Sequence, residues 1–130
     1  MTATGAVTLY IGLFVLLFVI LKINAGRVRG GSKVSVGHGG NDALQTAMRV
    51  QANAIEDVPI VLLGLIGLAA MAAPVNLIHG LGGSFFVFRS LHALGMGGAP
   101  GFGKGRFIGT LGSMLVMLAT GVACLYHVFG

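Results

Sequence analysis

The chain has 130 residues, of which 55% are hydrophobic and only 8% charged. Soluble domains carry roughly 25% charged residues, so this inventory cannot clothe a water-facing surface, and the chain reads as an integral membrane protein. The net charge of +5 comes from basic residues that flank apolar runs and form no solvated stripe, which argues against nucleic acid as a partner, and a single cysteine, Cys124, excludes an intrachain disulfide.

A first helix is expected over residues 5–23, uncharged until Lys22 and long enough for the ~20 residues a bilayer requires. The start of the chain has no Lys or Arg before this run, unlike a cleaved signal segment, so it reads as a retained helix. Residues 24–40 are glycine-rich and basic and read as a loop. Asn41 or Asp42 then offers an N-cap for a second helix over about residues 43–72. At ~40 Å or more it exceeds the hydrocarbon core of about 30 Å, so its first turns are expected to protrude.

Pro74, with Ala72 and Ala73, makes a short turn into a third helix over about residues 75–95. Glycines then separate it from a fourth over about residues 106–129. The expected fold is an all-α four-helix bundle, one transmembrane domain, with small residues at helical spacing (Gly80 and Ser84, Gly109 and Ser113) allowing close helix approach. The positive-inside bias places the two basic loops in the cytoplasm and both termini on the other side.

Ionisable groups within such helices are costly and are a functional-site hypothesis by default. Projecting the second helix at about 100° per residue puts Arg49, Asn53 and Glu56 on one face, with Gln45 and Asp42 near the same line, while Gln51 and Asp57 point away. Asp57 is expected to find a partner elsewhere, on a neighbouring subunit for example, and Glu56 to meet Arg89 or another helix. Pro59 leaves the Ile55 carbonyl without its helical donor. On the third helix Arg89 and His92 share a face at the same membrane level, and Lys104 and Arg106 open the fourth helix there. Arginines dominate, which suits a small anionic ligand.

Two patterns carry less than they promise. Residues 98–105, GAPGFGKG, end in Gly105 where a phosphate-cradling loop needs a hydroxyl, and no strand precedes them. His38, His79, His92 and His127 lie in separate segments without paired ligand spacing, so no metal is expected.

With these residues in place, the chain resembles the MAPEG family, the membrane-associated proteins of eicosanoid and glutathione metabolism that include the microsomal glutathione transferases. The family's R-x-x-x-N-x-x-E-x-x-P pattern is met by Arg49, Asn53, Glu56 and Pro59 at every spacing, and Gln51 also matches. A second signature, R-x-x-Y-x-x-G-Y, is partly met by Arg89 and Gly95, with His92 and Met96 in place of the tyrosines. Asp57 stands where some relatives carry a ligand-contacting tyrosine.

The resemblance implies a homotrimer that holds glutathione between neighbouring subunits. Arg49, Asn53, Glu56, Arg89 and His92 would bind the tripeptide, and Gln51 with Arg29 or Arg27 would reach it from the adjacent subunit. It implies that Arg106 activates the thiol, with Lys104 as rival. A cation beside the sulfur lowers the thiol pKa and supplies thiolate. The expected activity is conjugation of glutathione to lipophilic electrophiles from the bilayer, with peroxidase activity as a variant, in a bacterial inner membrane with the site toward the cytoplasm. A non-catalytic lipid- or thiol-binding protein of the same fold is the alternative. A small multidrug exporter, which needs an exchangeable carboxylate, fits the arginine-rich region less well.

Overall fold

The four apolar runs fold as four helices, and the computed structural model describes residues 1–130. They are α1 (Ala3–Ser32), α2 (Asp42–Ala70), α3 (Val75–Met96) and α4 (Gly105–Phe129). Asn41 caps α2 by accepting the Leu44 N–H on Oδ1 at 2.9 Å, as its position before the apolar run predicts. α2 runs unbroken through Pro59.

The first loop is shorter than its composition suggests, because residues 24–32 continue α1 by about two and a half turns beyond the expected end. Glycines and charges argue against a helix within lipid. Once the chain emerges from the hydrocarbon, however, helical hydrogen bonds need no apolar side chains to shelter them. Arg29 then secures the helix end: its Nη1 donates to the carbonyls of Val34 at 3.2 Å and Gly37 at 2.9 Å, and its Nη2 lies 3.4 Å from Met48 Sδ. A cation in the last turn thereby anchors both the connection and α2.

α1, α2 and α4 are each long and apolar enough to cross a membrane. α3, with His79, Arg89 and His92 along it, is more polar, and like α2 it packs on all three other helices. Protein, more than lipid, surrounds its polar groups. α1 and α4 do not pack on each other.

The core joins Phe14 of α1 to Phe85 of α3, both fully buried, with ring centroids 5.5 Å apart, and continues through Val58, Leu65 and Leu68 of α2. Only 27 of 130 residues are buried, and the exposed ones include Leu16, Ile20 and Ile23 on α1 and Met114 and Leu118 on α4. Lipid or further protein must cover those faces.

The α3–α4 seam is the tightest. A side chain at Gly109 would place its Cβ 2.5 Å from the Phe88 oxygen and the His92 nitrogen, and one at Gly112 would enter the Phe88 ring. Ser113, on the same face as Gly109, is 1% exposed. The other small pair behaves differently. Gly80 faces open space, and Ser84 Oγ donates to the Gly80 carbonyl at 2.6 Å, so this pair packs against no helix of its own chain. At the far end from the polar groups, Tyr10 ties α1 to α3, its hydroxyl 2.9 Å from His79 Nδ1 and its ring against Gly82.

Candidate functional site

The polar residues of three helices gather at the end of the bundle where α2 begins, α3 ends and α4 begins. Asn53 Nδ2 lies 3.7 Å from Met96 Sδ, and Gly95, the residue before it, abuts the backbone of Gly105 and Arg106 so closely that no side chain fits there. Asn53 Nδ2 also donates to the Arg49 carbonyl at 2.8 Å. His92, 6% exposed, sits within Coulombic reach of Arg89, Arg106 and Asp57.

Arg89 occupies the centre. It is 3% exposed, its Nη1 donates to Asp57 Oδ2 at 3.1 Å, and its Nη2 donates to the Asn53 carbonyl. This corrects two expectations. Glu56 does not meet Arg89, and Asp57 needs no neighbouring subunit for its partner. On the helical wheel Asp57 lies about 80° from Arg49, which looked like a departure from the stripe and is the direction in which α3 packs. The Asp57 side chain is 41% exposed, so the pair bridges the buried seam and the open site. Arg89 Nε is buried without an acceptor and Ser113 Oγ is buried without a partner.

The remaining stripe stays open. Arg49 and Glu56 are exposed and form no ion pair with any residue of the chain, and Gln51 is half-buried. Arg106 and Lys104 are exposed at the start of α4. The outer face therefore presents free cations and one free carboxylate, each able to take a charged ligand group.

Two arginines lie elsewhere. Arg29 holds the α1–α2 connection as described, and Arg27 lines a separate cleft between α1, α2 and α3. Neither joins the stripe of its own chain. Met96 beside Asn53 and the Tyr10–His79 link are contacts that residue spacing gave no means to foresee.

The sequence model of the MAPEG family matches residues 7–126, which spans all four helices. No curated protein and no solved structure matches the chain.

Proposed function

The chain belongs to the MAPEG family, and from that premise we propose that it is a membrane-bound glutathione transferase acting on lipophilic electrophiles. The observation that carries this reading is the set of charges left unpaired at one end of the bundle: Arg49 and Glu56 on α2, and Arg106 opening α4. Glutathione has two carboxylates for arginines and an ammonium for Glu56. Asn53 is held at this face by its bond to the Arg49 carbonyl.

Arg89 takes a different part from the one the family pattern implies. With Asp57 and the Asn53 carbonyl on its terminal nitrogens, it fixes α2 against α3 and so positions Asn53, leaving ligand carboxylates to Arg49 and to cations at the α4 end. Arg106 stabilises the thiolate. The sulfur gives up its proton to solvent, its lone pair forms the carbon–sulfur bond, and the leaving group of the electrophile departs with the electron pair of the bond that breaks. Lys104, two residues earlier at the N-cap of α4, is the alternative cation. A second copy of the chain closes the site over the exposed charges in a homotrimer, with the site on the cytoplasmic side of a bacterial inner membrane.

The test is glutathione binding and turnover by the purified protein. Saturating glutathione should produce the ultraviolet absorbance of a thiolate, and a generic electrophile should be conjugated. Arg106→Ala should abolish the thiolate band while keeping much of the binding. No thiolate band in the unaltered protein would refute the activation step.

One observation favours a second reading, a binding protein without turnover. Where the family pattern places tyrosine hydroxyls, this chain has the thioether of Met96 and the buried imidazole of His92. Binding without conjugation of any electrophile would decide for it.

A further inference from the structure

A cleft of about 940 Å³ opens on another side of α2, walled by α1, α2 and the end of α3. Its deep part is mostly apolar, lined by Leu17, Ile20 and Leu21 of α1 and Val50 of α2, with Ser90 of α3 beside them. Its mouth carries Asn24 and Arg27 from α1 and Asp42 and Thr46 from the start of α2, with Leu94 from the end of α3. From Leu17 to Arg27 the lining runs along α1 for about 15 Å. Apolar character lies at hydrocarbon depth and charge lies toward the helix ends. An amphiphile standing in a bilayer has the same gradient along its length.

The charges at the mouth specify the head. Arg27 and Asp42 are both exposed, carry opposite sign, and form no ion pair with each other or with any other residue. An anionic head would satisfy Arg27 and face repulsion from Asp42. A fatty tail without a head would leave both unanswered. A head that carries a phosphate and an ammonium answers each charge with its opposite, and Asn24 and Thr46, about one turn deeper on α1 and α2, supply hydrogen-bonding groups below them. An ammonium bearing N–H bonds can donate to Asp42, whereas a quaternary one cannot.

We propose that this cleft is a binding site for one zwitterionic membrane phospholipid with a primary-ammonium head, its phosphate at Arg27, its ammonium at Asp42 and an acyl chain along Leu17, Ile20 and Leu21. The cleft includes none of Arg49, Asn53, Glu56 or Arg106, and it shares with the glutathione reading only Arg27, the alternative to Arg29 for a contact from the adjacent subunit. The volume lies in the range of about 300–1,000 Å³ that small-molecule sites occupy.

Native mass spectrometry of the full-length protein, released from vesicles containing equal amounts of phosphatidylethanolamine, phosphatidylcholine and phosphatidylglycerol, tests it. One phosphatidylethanolamine per chain should be retained, favoured over the other two by on the order of tenfold. Asp42→Asn should erase the preference over phosphatidylcholine, Arg27→Gln should weaken retention of every phospholipid, and Ala43→Trp should fill the mouth and remove the bound lipid. Helical circular dichroism checks that each variant folds. Equal retention of the three heads, or an Asp42→Asn protein with the preference intact, overturns the proposal. Disulfide capture of a second copy through Thr46→Cys would assign the cleft to a subunit interface and overturn it as well. Stoichiometric displacement of the lipid by an uncharged electrophile would do the same in favour of a substrate site.

Discussion

Glu56 and Asp57 are sequence neighbours with the same charge, yet their surroundings ask different things of them. Asp57 answers a guanidinium that is 3% exposed, while Glu56 is exposed and has no partner in the chain. Removing one member of a buried pair costs about 3–5 kcal/mol, and exposed pairs are worth under about 1 kcal/mol. With one partner buried and the other 41% exposed, Asp57→Ala should cost about 2 kcal/mol. The measurement is unfolding in detergent, and an unshifted transition would refute the role given to this pair. Glu56→Gln should leave that transition in place and weaken glutathione binding on the order of tenfold, as loss of a charge-assisted contact does. If both substitutions affect stability alone, the free carboxylate is not a ligand group.

Helical projection around α2 found Arg49, Asn53 and Glu56 because they share one face of one element. It could not find the Arg89 partner, since a wheel carries no information about where the next helix packs. The limits of α2, α3 and α4 were legible because caps, Pro74 and the glycines at residues 95–105 coincide with the ends of apolar runs. The end of α1 was not, because hydropathy reports where lipid stops and the helix does not stop there. The α3–α4 seam makes the sharpest element-level test. Gly109→Ala would press a methyl onto the backbone of Phe88 and His92, which cannot retreat without parting the helices, and should destabilise by about 1–3 kcal/mol. Gly121, on the same helix, faces open space, so Gly121→Ala should be neutral or stabilise by up to about 1 kcal/mol. Equal effects at the two positions would mean that helix propensity, and not the close approach, sets the response. Because Arg106 follows Gly105 on this seam, Gly109→Ala should also disturb any thiolate formed at the site.

The whole molecule leaves a question that its parts raise. Arg49, Glu56 and Arg106 are exposed in a chain whose other outward residues are mostly apolar, and charged groups facing lipid are expensive wherever they lie below the headgroups. Within one chain only the Arg89–Asp57 pair is neutralised. α1 and α4 do not touch each other, so each keeps an unpartnered side, and the Gly80–Ser84 face of α3 is likewise free. A second copy would supply cover for the charges and a partner for the small-residue face at once, since small residues let helices approach where lipid tails offer no competing attraction. Closed rings are the usual solution when the contact joins two different surfaces of the same chain. The expected outcome is a particle of three chains by light scattering in mild detergent, with Gly80→Leu shifting it toward single chains if the free face of α3 forms part of the seam. Glutathione bound between chains would also oppose that dissociation by mass action. A single-chain particle that still binds glutathione would show that one subunit holds the ligand unaided and would remove the shared site from the proposed function.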